Sequence, residues 1–213
     1  MLGFTLSKLN LLIFVTAIFA IVAFFTFVLV KIVTTNELNL LLDRVKTKAE
    51  ALVNSPSYCD TTFYYFPADL RVSGETFFYT VKISQQETEV NDKVLRYLIF
   101  SAFSRRDKEF QNALAANSLK TDASIVIFSS DAQLRTLGGE EGAVVDPQGR
   151  PPINAIGLVK EIIGGKATLY VVPCLAEASQ CLVRMEQAGC YAKANRDITC
   201  QNGNARGFLC LPG

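Results

Sequence analysis

Six cysteines hold most of the reactive chemistry in this chain: Cys59, Cys174, Cys181, Cys190, Cys200 and Cys210. Thiolates ligate metals, exchange electrons or cross-link, and their spacing and partners separate these uses. Zinc sites and thiol redox centres are built on CxxC pairs, the former commonly with histidine. This chain has no CxxC and no histidine, and six to nine residues intervene between successive tail cysteines. Disulfides are the use that remains, and stable disulfides belong to oxidising compartments outside the cytoplasm. Five of the candidate disulfide cysteines lie in the tail and one at Cys59. If all six pair within one chain, Cys59 joins a tail cysteine. Cys174 and Cys181 are not expected to pair with each other. A helix running between them would hold their alpha carbons about 10 Å apart, and a disulfide spans roughly 4.4–6.8 Å.

Other chemistry is poorly supplied. Histidine, the commonest acid–base catalyst, is missing, and no G-x-S-x-G or P-loop is present. Ser7 and Lys8 are adjacent but flank an apolar run, where lysine ordinarily anchors at a membrane interface. Glu140, Glu141 and Asp146 lack the ligand rhythm of a calcium loop. The expectation is no enzyme, no cofactor and no metal. A net charge of +1, from 21 Lys and Arg against 20 Asp and Glu, provides no field for nucleic acid. The aromatic runs FYYFP (Phe63–Pro67) and FFY (Phe77–Tyr79) read as sheet core rather than as a glycan- or peptide-binding face.

These residues need elements to carry them. No charge interrupts Leu11 to Val30, and about 20 residues at 1.5 Å rise cross the ~30 Å hydrocarbon core of a bilayer. A cleaved signal would have a shorter apolar region ending in an A-x-A-like site, which is absent here. Leu38, Leu41, Leu42, Val45, Ala49 and Leu52 continue at helical spacing until Asn54, Ser55 and Pro56. Either one helix of nearly fifty residues or a break near Thr34–Asn36 fits this pattern.

Beyond the helix, the alternation over Arg71–Ser84 predicts a strand. Val94–Ser104 reads as a central strand with a helix as the alternative, and Ser124–Ser129 as another strand. Gly164 and Gly165 stand between two strand-like runs as a hairpin turn. RRDKEFQN, positions 105–112, reads as a solvated connection, and positions 138–152 as turn and loop. A short helix is expected over Leu175–Ala188 with Gly189 as its stop.

The fold class is therefore α+β: a long N-terminal transmembrane helix, an antiparallel-sheet ectodomain of about five strands, and a disulfide-rich C-terminal region. The divisions are 1–8, a short leader or cytoplasmic flank; 9–33, the membrane helix; 34–56, an amphipathic juxtamembrane helix; 57–173, the β-rich ectodomain; and 174–213, the cysteine-rich region.

Gly3 followed by Phe4-Thr5-Leu6, a helix that is first apolar and then amphipathic, an antiparallel sheet and a cysteine-closed tail together resemble the type IV pilin and pseudopilin plan. The motif covers under ten residues; the architecture spans the chain. The resemblance implies cleavage by a prepilin peptidase after Gly3 and methylation of the new terminal Phe4. The family's acidic fifth mature residue would fall at Lys8, which implies a minor rather than a major subunit. The expectation is a single-pass protein of the cell membrane with its C-terminal domain outside the cytoplasm. Its role would be structural or interactive, as a minor pilin-like subunit of a type IV filament or secretion system. The alternative is a non-pilin anchored ectodomain acting as a binding or envelope-assembly module. Partners would be the membrane and other pilin-like subunits or envelope proteins, not nucleic acid.

Overall fold

Helix α1 (Leu2–Val53) runs 52 residues without interruption, about 78 Å at the α-helical rise. The computed structural model describes residues 2–72, 74–90, 93–131, 134–138, 141–175, 177–193 and 208. Side chains from Asn10 to Val33 are exposed, Val28 excepted, and α1 is long and apolar enough to cross a membrane. From Thr34 the surroundings change. Leu38, Leu41, Leu42, Val45, Ala49 and Leu52 are buried, each of the larger ones contributing roughly 1.5–3 kcal/mol by leaving water. The break near Thr34–Asn36 does not occur. Thr34 donates its hydroxyl back to the Val30 carbonyl at 2.8 Å, a bond compatible with an unbroken helix. The helix ends where Asn54 N–H bonds Glu50 O at 3.0 Å and Ser55 N–H bonds Leu52 O at 3.2 Å, just before Pro56.

Eleven strands follow among the described residues: β1 (Cys59–Tyr65), β2 (Leu70–Val72), β3 (Glu75–Phe77), β4 (Tyr79–Val90), β5 (Lys93–Ser104), β6 (Ala115–Thr121), β7 (Ser124–Phe128), β8 (Thr136–Leu137), β9 (Gly142–Val145), β10 (Ile153–Ile163) and β11 (Lys166–Leu175). They form one sheet in the order β1-β10-β11-β7-β8, a second in the order β6-β5-β4-β9, and the small ribbon β2-β3. All neighbours are antiparallel except β11 and β7. The two large sheets face each other across Ile156, Leu158, Leu169 and Val171 on one side and Val81, Ile83, Leu98 and Phe100 on the other. Buried residues of α1 join the same core between the edge strands β1 and β6. Helix α2 (Ala178–Lys193) covers the opposite face of the first sheet through Cys181, Met185 and Ala188.

Several expectations need correction. The stretch Arg71–Ser84 is not one strand. Gly74, at φ 84°, turns the chain between β2 and β3, and the long strand begins at Tyr79. Residues 142–145 are not loop but the edge strand β9, because Ala143 and Val145 alternate into the core. About five strands were expected; the described residues form eleven, nine of them in two facing sheets and two in the separate β2-β3 ribbon. Glycine 189 does not stop α2, whose neighbours Met185 and Ala188 are buried against β10 and β11. Burial on this scale outweighs the ~1 kcal/mol cost of a helical glycine. The hairpin at Gly164 and Gly165 forms as the pattern indicated, with φ of 60° and 78°.

Candidate functional site

Gly3 and Phe4 lie in the first turn of α1. Cys59 opens β1 opposite Glu161 and is disulfide-bonded. Cys190 lies on α2, whereas Cys200 and Cys210 lie outside the described residues. Cys174 and Cys181 are joined, with alpha carbons 4.9 Å apart, against expectation. The helix was expected to start at Leu175, but α2 starts only at Ala178. Cys174 therefore sits on the end of β11 and Cys181 in the first turn of α2, so no helix spans the whole stretch between them.

A cleft that the sequence did not indicate occupies the outer face of the second sheet. It encloses about 800 Å³ and is lined by Phe77, Phe78, Thr80, the Ser104–Lys108 segment, Phe110, Val144 and Asp146, a size common among ligand sites. Strand alternation builds its floor. Tyr79 and Val81 face the core, so Thr80 faces outward, as Val144 does between buried Ala143 and Val145. The connection after β5 then folds back over this face, and Phe110 meets Phe103 edge-on at 5.2 Å between ring centroids. Thr80 is only 6% exposed beneath it, and its Oγ1 has no hydrogen-bond partner. Phe78 is 44% exposed at the mouth.

Asp107 organises the connection. Its carboxylate accepts the N–H of Asn112 at 2.9 Å and of Gln111 at 3.4 Å. The Asn112 amide, foremost among the backbone donors around it, holds its pKa below the ordinary carboxylate range. Phe110 takes a φ of 54°, a sparsely populated conformation for a bulky side chain. Arg105 is committed to Asp146, with Nε 3.2 Å from Oδ1, and donates through Nη2 to Gln148 O at 2.6 Å. Arg106 and Lys108 are exposed, and neither has an ion-pair partner among the described residues. Reading RRDKEFQN as a solvated connection is right for these two cations. It misses Phe110, whose place on the cleft wall depends on its contact with Phe103 of β5. The one local signal is an Asp at the head of a charged, polar stretch, a residue that commonly accepts backbone N–H groups a few residues on.

The aromatic runs divide between core and surface. Tyr64, Phe66 and Tyr79 are buried, while Tyr65 and Phe78 are exposed. Tyr79 donates to Pro67 O at 2.7 Å. Its pKa is pushed well above the usual tyrosine value, chiefly by burial and secondarily by Tyr64 and Asp69. Among the described residues, no three Cys, Asp or Glu side chains converge on a possible metal position. Comparison with protein-family models, with curated proteins and with solved structures returns no match for the chain.

Proposed function

We propose that this chain is a single-pass membrane protein whose extracytoplasmic domain has a structural or interaction role. The observation that carries this reading is the division of α1. One unbroken helix leaves its apolar first part bare and buries its second part between two sheets. An exposed apolar face of that length is unfavourable in water and favourable in lipid. The helix would pass its position rigidly to the domain, since no hinge separates the two parts. The N-terminus would face the cytoplasm and the cysteine-bearing domain the oxidising side. No catalytic role is proposed, and neither is nucleic-acid binding.

Within that reading, the chain is a minor pilin-like subunit of a type IV filament or secretion system. The Gly3-Phe4-Thr5-Leu6 start and the continuity of α1 into the sheet domain support it. Lys8 stands where the resemblance would place an acid, which favours the second reading: an anchored ectodomain that serves as a binding or envelope-assembly module. Intact mass of membrane-purified protein separates the two. A chain starting at a methylated Phe4, with Gly3→Ala blocking the cut, supports the pilin-like role. An N-terminus retained at Met1 or Leu2 beside an active prepilin peptidase leaves the plain anchor. Release of the protein from membranes at alkaline pH would sink both.

A further inference from the structure

The height of the outer-face cleft above the membrane can be read from register. At one end of the domain Arg96 shares a surface depression with Val53 and Asn54. Further along β5, Phe100 pairs with Asn117, whose side-chain amide donates to Asp43 of α1. Four strand residues, about 14 Å, thus accompany about ten helical residues, about 15 Å, and β5 runs opposite in direction to α1. Another four residues carry β5 from Phe100 to Ser104, level with about position 34 of the helix. The bare apolar stretch ends there, at Val33. The Arg105–Phe110 connection therefore lies at the end of the domain that faces the membrane.

From this placement we infer that the cleft seats the phosphate of an anionic lipid headgroup, one without a compensating cation, in the same membrane, docking the domain on the bilayer surface. This rests on the spanning role proposed for α1. Arg106 and Lys108 supply donors for a phosphate diester, and Phe78 supplies an exposed aromatic of the kind enriched at membrane interfaces. Thr80 lines the cleft with a buried hydroxyl that has no hydrogen-bond partner. Acidic neighbours compete only in part. Asp107 is turned onto the amides of its own connection, Asp146 is matched by Arg105, and Glu109 accepts from Gln111 Nε2 at 2.6 Å. A free phosphate ester has the same recognition chemistry, so the bilayer source needs its own arm in the test.

The chain has no tryptophan, so Phe78→Trp in the full-length protein is a single reporter at the mouth of the cleft. Reconstituted into phosphatidylcholine vesicles with phosphatidylglycerol, its emission should shift to the blue and be quenched by brominated acyl chains. In phosphatidylcholine alone the docked-to-undocked ratio should fall roughly tenfold, the effect of two interfacial cations discounted for Asp107 and Glu109. Arg106→Gln with Lys108→Gln, both at exposed positions, should erase that lipid dependence while circular dichroism stays unchanged. Equal quenching in both vesicles, or lipid dependence that survives the double substitution, overturns the proposal. So does a blue shift with glycerol phosphate in detergent but none in vesicles, because the cleft would then take a free anion. Loss of the protein from vesicles at alkaline pH separates failure of the spanning premise from failure of the docking itself.

Discussion

Gly157 of β10 lies directly beneath Met185 of α2, so close that a Cβ on the glycine would fall within the van der Waals envelope of the methionine Sδ and Cγ. Met185 is fully buried, which restricts the room it has to move. Gly157→Ala should therefore destabilise the domain by about 1–3 kcal/mol through overpacking. Met185→Ala should cost about 2–5 kcal/mol through the cavity it leaves. Because the two changes meet in one space, the double variant should be more stable than the sum of the single losses predicts. Chemical denaturation of the three variants measures this coupling; strict additivity would mean that α2 does not dock here.

A peptide map under non-reducing conditions should recover Cys174 linked to Cys181. It should also recover Cys59 linked to Cys200 or Cys210. The first bond closes a short loop, worth about 2–3 kcal/mol by chain entropy, and the second closes one of more than a hundred residues, worth about 4–5 kcal/mol. Reduction should lower the midpoint of unfolding more in the wild type than in Cys59→Ser. A map with Cys59 alkylated as a free thiol would be the contrary result.

Stability should fall in strong alkali on account of Tyr79. Its folded pKa is raised by burial, so above the unfolded tyrosine value of about 10 the unfolded chain releases a proton that the native chain keeps. The stabilisation is complete below that pH and is lost as pH rises toward the folded pKa. Tyr79→Phe should cost about 0.5–1.5 kcal/mol at neutral pH, for the bond to Pro67 O, and should flatten the alkaline decline. Thermal melts of both proteins between neutral pH and strong alkali, alongside tyrosine absorbance, test the sign.

The proposed orientation rests on the cysteines. Protease added to sealed cells should reach the domain beyond Val33, while reaching only a fragment's worth of protein is not expected. Protection of the C-terminal part in intact cells, with cleavage of the same folded domain after lysis, would reverse the orientation proposed above.

Local sequence was enough for the features whose physics is local. The uncharged run before Lys31 is apolar on all faces, so its preference for lipid needs no partner to define it. Leu38, Leu41, Leu42 and Val45 mark one face of a helix because side-chain direction repeats every 3.6 residues, and all four are buried. The glycine pair at 164–165 marks a turn because its positive φ values suit glycine better than other residues. Other features depended on what lay opposite. Gly142–Val145 is too short to signal a strand and closes a glycine-rich stretch, and becomes a strand by pairing with β4. Cys174 and Cys181 meet because β11 runs through Cys174 and α2 begins only at Ala178, a boundary that local pattern leaves uncertain by a few residues. The outer-face cleft is the furthest from local reading. Thr80, Phe110 and Asp146 lie in three separate stretches of chain, and only strand register and the fold-back after β5 bring them to one wall. Non-local pairing is set by the summed burial of two facing sheets, and no window of adjacent residues contains that sum.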